Sequence, residues 1–301
     1  MHSLLEPLGG MSAFVKPGQK VLLKPNLIVP RPAEAAVSTD PELVMAVAEM
    51  ARQAGGEVVV GDSPAFSSAA GVARAMGLLD RLRKVNIPLI DLGRGSRRVR
   101  LPEDARPWKS VTLSKAALDA DVVINLPKVK AHSQAGLSLG LKNLYGTIAG
   151  KRKALYHFQN GPDVRDFGKL IVAVARRIAP ALTIEDGIVL LERDGPTAGD
   201  PRPGNFLVAS TDCTAADRVT AALLTDDLSR IFYLQSAAEM GHGAESLDEI
   251  EVLGHTIDQL KIPNFVPAQR EVPINFTLPR VIKSVIRQAG FLWRARRETN
   301  S

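Results

Sequence analysis

Residues 121–151 read DVVINLPKVKAHSQAGLSLGLKNLYGTIAGK. The opening run, Asp121 to Leu126, is apolar after its first residue and reads as a buried strand. Lys128, Lys130, His132, Lys142 and Asn143 follow it, interleaved with Gly136, Gly140 and Gly146. Cations, a titratable ring and bare backbone beyond the carboxyl end of a strand are the ingredients of a ligand site in an α/β sheet. The spacing predicts a helix over 136–148, with Leu137, Leu141, Leu144 and Ile148 as its core stripe. Gly136, Gly140 and Asn143 fall on another face. A glycine pair inside a helix costs about 1 kcal/mol per residue against alanine. Either close packing or a ligand lying on the backbone accounts for that cost.

The same pattern extends upstream. Val21-Leu22-Leu23 is a short strand running into Lys24-Pro25-Asn26-Leu27. After a Pro- and Ala-rich loop, Thr39 or Asp40 caps a helix with Pro41 in its first turn, and Gly55-Gly56 ends it. Val58-Val59-Val60 is the next strand, followed by Gly61-Asp62-Ser63-Pro64, a helix over 68–85 and strand Pro88-Leu89-Ile90. Residues 97–113 read as an antiparallel insertion. Downstream come a helix over 164–178, strand 182–184, strand 205–209 and a helix over 213–224. Glu185-Asp186-Gly187 and Asp194-Gly195-Pro196 read as turns after strands, leaving Asp186 as either an acid or ligand or a solvated turn residue. Asp217 lies inside a helix, placed to cap or pair with a neighbouring element. The alternation of strand, loop and helix predicts an α/β fold, a mainly parallel sheet covered by helices on both faces with a small antiparallel insertion.

Composition narrows the function. The chain has 301 residues and a formal net charge of +6. Residues 280–297, RVIKSVIRQAGFLWRARR, carry Arg280, Lys283, Arg287, Arg294, Arg296 and Arg297 with no acid, and outside them the formal charges balance. The body is therefore not a basic nucleic-acid-binding surface of the usual kind. We expect one large domain over 1–278, single or in two lobes, and a basic amphipathic tail over 279–301. The tail's apolar stripe (Val281, Ile282, Val285, Ile286, Ala289, Trp293) suits an anionic membrane surface, the body or a dimer partner. The opening MHSLLEPLGG reads as a helix stopped by Gly9-Gly10, an abrupt start that leaves open whether a preceding strand is missing. With no signal peptide or membrane-length apolar run, the expected location is cytoplasmic. One cysteine, Cys213, rules out an internal disulfide, a Cys-rich zinc site or an ordinary iron–sulfur cluster, and reads as a packed residue. Neither a phosphate loop ending in Gly-Lys-Ser/Thr nor a GxGxxG after a strand is present, which disfavours a nucleotide kinase or a simple nicotinamide dehydrogenase.

Several segments together carry a family resemblance: LLKPNL at 22–27, TDPELV at 39–44, GDSP at 61–64, PKVKAH at 127–132, LKNLYG at 141–146, DGI at 186–188 and GPTAGDPRP at 195–203. By these the chain resembles the family catalogued as domain of unknown function 362, over Lys20 to about Gly254. That family name carries no activity. Some of its members carry a ferredoxin-like segment rich in cysteine, which this chain lacks, so electron transfer would need a flavin or a separate iron–sulfur protein. More locally, His132 to Lys142 is similar to the site segment of the nickel-pincer lactate racemases. His132 and Lys142 stand ten residues apart there too, with Ala135, Gly136, Ser138 and Gly140 matching between them. Leu139 and Leu141 replace a glycine and an arginine of those enzymes, and His157 is an offset candidate for their downstream histidine. The resemblance implies a shared site location, with His132 and His157 as metal ligands and Lys142 as the bearer of a lysine-linked cofactor.

The residues support the same location independently. Lys142 is either a reactive amine, lowered in pKa by burial and neighbouring cations, or a surface lysine of an amphipathic helix. His132 is either a ligand or general base or a loop cap. Lys24 and Asn26, Asp62 and Ser63, and Lys128 and Lys130 stand at three strand ends and converge if those strands are neighbours. Lysines there suit a carboxylate or phosphate. The expected function is an enzyme acting on a small anionic organic molecule, in its most concrete form a racemase or other isomerase. Lys24, Asn26, Asp62, Ser63, Lys128, Lys130 and Asn143 would bind the substrate, and His132 and Lys142 would act on it. The alternatives are a non-catalytic protein that binds an anionic ligand and a redox partner of a separate iron–sulfur protein.

Overall fold

The computed structural model describes residues 1–64, 67–150, 152–159 and 163–268, with the side chains of 154 and 157–159 outside that set. The basic tail and the His157 side chain therefore lie outside the described residues. Strands β1 (Lys20–Pro25), β2 (Glu57–Asp62), β3 (Leu89–Asp91), β6 (Val122–Leu126), β7 (Lys128–His132), β8 (Gly136–Ser138), β9 (Leu182–Glu192) and β10 (Asp200–Ser210) form one eight-stranded sheet. Strands β4 (Ser96–Arg100) and β5 (Ser110–Ser114) pair antiparallel as a separate hairpin, the expected insertion.

Strands β1, β2, β3, β6 and β9 run parallel. β6 and β7 are separated by Pro127 alone and follow one another along the same edge of β9. Asn125 is level with Thr183, and Lys128 is level with Asp186. β1 stops beside Leu126, so β7 runs on past its carboxyl end. That step in the sheet exposes the ends of β1 and β2 beside β7. β10 covers the other edge of β9 antiparallel, and β8 folds back on β7.

The strands are apolar on both faces because helices cover both. Val21, Leu23, Ile124, Leu126, Leu182 and Ile184 pack on one face with helices α1 (Pro41–Gln53), α2 (Ala69–Ala75) and α3 (Leu78–Lys84). Leu22 and Val123 face the other way. They meet helices α4 (Gly140–Leu144), α6 (Val164–Ile178), α7 (Cys213–Leu224) and α8 (Phe232–Glu239), while α5 (Arg152–Gln159) adds Tyr156. Strand alternation sends Lys24, Asn125, Thr183 and Glu185 to this second face. Asp40 caps α1 by accepting from the Glu42 N–H, with Pro41 following, as expected. Cys213 is buried.

Four local expectations change. Residues 136–138 are a strand, because Gly136 takes a φ of 72° and turns the chain back so that Leu137 pairs with Ala131. The helix begins at Gly140, yet Leu137, Leu141, Leu144 and Ile148 are all buried as the stripe requires. Lys128 to His132 is a strand rather than a loop. The helix over 68–85 is two, broken at Gly77 with a φ of 73°. Glu185-Asp186-Gly187 lies inside β9 and is not a turn: strand 182–184 continues to Glu192, with Asp186 paired to Lys128 and Glu185 Oε1 accepting from the Gly140 N–H.

Gly187 pairs with Phe206 across β9 and β10, and a Cβ there would lie 2.3 Å from the buried Phe206 ring. Gly187→Ala is expected to cost about 1–3 kcal/mol of stability, the usual penalty of overpacking. Urea unfolding of the two proteins measures it.

Candidate functional site

At the end of β1 the Lys24 ammonium is wholly buried. It pairs with Asp62 Oδ1 at 2.8 Å and donates to Pro25 O at 2.9 Å and Asn143 Oδ1 at 3.0 Å. Three acceptors meet its three protons. Burial still lowers its pKa, offset in part by Asp62. Asp62 also accepts from the backbone N–H groups of Leu27 and Ser63. A Cβ on Gly146 would sit 2.6 Å from Lys24 Nζ and 2.9 Å from Asp62 Oδ1, so the glycine lets the chain close over this pair.

Asn143 ties the strands together. Its Oδ1 accepts from Lys24 Nζ and Asn26 Nδ2, and its Nδ2 donates to Lys24 O at 3.1 Å and Asn125 Oδ1 at 2.9 Å. Asn125 in turn donates to Gly140 O at 3.1 Å. The sequence marks Asn143 as a site residue. The matching signal for Asn125, an amide inside the apolar run VVINL, went unused.

Lys128 pairs with Asp186 at 3.0 Å, and Asp186 also accepts from the Asp40 N–H. Lys130 has a different environment. It donates to two neutral acceptors, Asn26 Oδ1 at 2.5 Å and Val37 O at 2.7 Å, and has no salt bridge among the described residues. Burial and then the charges of Lys142 and Lys128 push its pKa well down. Half-buried Lys142 has neither hydrogen bond nor ion pair among the described residues. Burial, then Lys153, lowers it to about 8. Lys153 on α5 donates to Ser63 O and is likewise lowered to about 8, chiefly by burial. Lys153 was not a sequence candidate, although it follows Gly150 at the head of an amphipathic helix.

Lys24, Asn26, Asp62, Ser63, Lys128, Lys130, Lys142 and Asn143 thus gather into one cationic cluster where β1, β2 and β6 end and β7 begins. His132 opens elsewhere. Its Nδ1 accepts from the Gln134 N–H at 3.1 Å, and it lines a cavity of about 480 Å³ with Gln134, Arg230, Phe232 and Gln235. None of the lysines lines that cavity. No group of three His, Cys, Asp or Glu side chains among the described residues is arranged to hold a metal ion. The amine of Lys142 suits a covalent attachment, but the metal-ligand set that would accompany a lysine-linked cofactor is not assembled among the described residues.

Beneath α4 lies a buried carboxyl pair. The Gly140 N–H donates to Glu185 Oε1 at 2.8 Å and Asp217 Oδ1 at 2.7 Å, while the Leu141 N–H donates to Asp217 Oδ2 at 3.0 Å. Two carboxyl oxygens converging on one N–H require a proton between the groups. Burial, then Asp217, pushes Glu185 well up. Burial raises Asp217 from 3.8 to about 7, against the pull of its hydrogen bonds. Asp217 therefore does cap a neighbouring element, and Glu185 joins it.

A carboxyl held protonated in the folded chain stabilises it fully below its unfolded pKa, and that contribution is lost as pH rises through the folded value. For Asp217 the window runs from 3.8 to about 7. Asp217→Asn is expected to cost about 1–3 kcal/mol, because an amide cannot accept from both N–H groups. It also flattens this part of the pH dependence. Urea unfolding at about pH 5 and pH 8 checks both, since the wild-type chain should lose more stability across that interval.

Comparison with known proteins agrees with the expected family. The thylakoid-associated protein sll1697 of Synechocystis sp. is 42% identical over 292 residues, covering 95% of this chain and 88% of the relative. The lactate racemase apoprotein of Thermoanaerobacterium thermosaccharolyticum aligns in structure with a TM-score of 0.46 and 12% identity, over 72% of this chain and 54% of that one. The chain thus spans about half the length of the racemase. The family model described as Domain of unknown function (DUF362) matches residues 21–222, and the chain belongs to that family.

Proposed function

We propose that the lysine cluster at the ends of β1, β2 and β6 and the start of β7 is the site of an enzyme acting on a small organic anion. One observation carries this reading: Lys130, Lys142 and Lys153 converge without a salt bridge among the described residues. Uncompensated ammonium groups in a desolvated place are costly, and an anionic ligand removes that cost. Lys24 and Lys128 already have Asp62 and Asp186, so they shape the site and add field. Lys130 is the anchor for a carboxylate or phosphate. Lys142, half-buried and without a partner among the described residues, is the group open to the reacting part of the ligand. A pKa of about 8 leaves an appreciable neutral fraction near neutral pH. A neutral amine beside a bound carboxylate can take up a proton or attack a carbonyl. Racemisation or isomerisation of a carboxylic acid is the concrete form of this chemistry.

A non-catalytic anion-binding role is the second reading. It is favoured by His132 opening into a cavity without the lysines, which leaves the cluster without a histidine acid or base among the described residues. We also infer that the chain meets a membrane from one side only. The Synechocystis relative is named for association with thylakoids, and no helix of the described residues is long and apolar enough to cross a bilayer.

Calorimetry with lactate, malate and inorganic phosphate tests the site. Lys130→Met should weaken binding by about 10- to 100-fold, the worth of a hydrogen bond to a charged group. Lys142→Ala should abolish turnover of whichever acid binds. Affinity should fall as pH rises through about 8, where Lys142 and Lys153 lose their charge. Unchanged affinity in both variants would sink the proposal. Intact binding without turnover in the wild-type chain would select the second reading.

A further inference from the structure

The turn entering hairpin β4–β5, its strands and the loop joining them carry Arg94, Arg97, Arg98, Arg100, Arg106 and Lys109 against only two acids, Glu103 and Asp104. All six cations are exposed. Arg97 pairs with Asp119 and Arg106 with Glu103. Arg98 donates only to Ser110 Oγ, at 2.8 Å. Arg94, Arg100 and Lys109 have no ion pair among the described residues. The strand register explains the layout. Val99 faces Val111 toward the core, so Arg98 and Arg100 stand opposite Thr112 and Ser110 on the outer face. Behind them lies a groove of about 560 Å³ whose walls include Arg98, Arg100, Arg106 and Lys109.

We propose that this hairpin is the face by which the protein lies on an anionic bilayer, with lipid phosphate headgroups entering the groove. The inference rests on one-sided membrane contact and names the surface that makes it. Charge complementarity selects the partner. A flat, twisted ribbon of arginine and hydroxyl side chains matches a sheet of phosphates, and each cation near such a surface strengthens partition roughly fivefold. Single-stranded nucleic acid is the weaker match, because it needs aromatic rings to stack on. The one aromatic side chain here, Trp108, is buried and donates its Nε1 proton to Asp166 O. The hairpin also leans on the lysine site. Leu113 bridges to Ile148, Thr112 O accepts from the Ala149 N–H, and the Thr112 N–H donates to Tyr156 Oη. Docking by this face sets the segment that carries Lys153 beside the membrane.

Co-sedimentation of the full chain with phosphatidylcholine vesicles, with and without phosphatidylglycerol, tests the proposal. Wild-type protein should bind only the anionic vesicles, and less at high salt. The combination Arg98→Glu, Arg100→Glu and Lys109→Glu should lower that partition at least about tenfold. The milder Arg98→Gln with Arg100→Gln should fall between, with the thermal unfolding midpoint unchanged in both variants. If the wild type ignores anionic vesicles, one-sided membrane contact itself fails. If it binds and both hairpin variants bind equally well, the hairpin is not the face, and charge reversal at Arg294, Arg296 and Arg297 would then locate the contact in the tail. Tighter binding to an RNA oligonucleotide than to vesicles, lost in the same variants, would also overturn the lipid assignment.

Discussion

A lysine ammonium fully removed from water is the constraint around which the rest of the site is arranged. Breaking one partner of a buried ion pair costs about 3–5 kcal/mol, because the other charge is left uncompensated. Lys24 therefore dictates its neighbours. Asp62 must reach it from β2, Asn143 must present its oxygen from α4, and the chain at Gly146 must pass without a side chain. Asp62 in turn needs the Leu27 and Ser63 N–H groups, which fixes the loops after β1 and β2. Three elements distant in sequence are thereby locked in one arrangement by a single charge.

Helix α4 is held from two sides by that arrangement. Asn143 ties it to β1 and β6, while Glu185 and Asp217 accept its first N–H groups from below. A helix of five residues has little stability of its own. Its position comes from these buried hydrogen bonds. Lys142 rides on this short segment. Its amine is thus placed by groups it does not touch, and neighbouring Asn143 and Leu141 are spent on anchoring.

The parallel sheet, its helices and the hairpin insertion were legible because period-2 and period-3.6 patterns survive in the residues that face the core. The convergence of Lys24, Asn26, Asp62, Ser63, Lys128, Lys130, Lys142 and Asn143 was legible too, since strand ends in a parallel sheet share one edge. What was hidden depended on contacts between remote residues. Glu185-Asp186-Gly187 has the composition of a turn, and only Lys128, the Asp40 N–H and the α4 N–H groups make those acids tolerable inside a strand. The hairpin of β7 and β8 was hidden by a leucine spacing that serves a helix and an irregular buried segment equally well. His132 looked joined to Lys142 by a ten-residue spacing. That spacing comes from the racemase resemblance, and in the fold β8 turns back between the two residues while His132 lines a different cavity.

The same energetics separate structural lysines from functional ones. Lys24 and Lys128 each have a carboxylate, so their charges are settled within the fold. Among the described residues Lys130 has only neutral acceptors and Lys142 has none. The fold makes room for their charge by lowering its stability, and their pKa values fall accordingly. An arriving anion reverses that trade: it replaces the missing carboxylate, favours the protonated amines and binds a proton along with itself above the free site's pKa. On the proposed reading the surplus cations are stored affinity: deeply buried Lys130 would align an anion, and the two half-buried ones, Lys142 and Lys153, would stand where it enters.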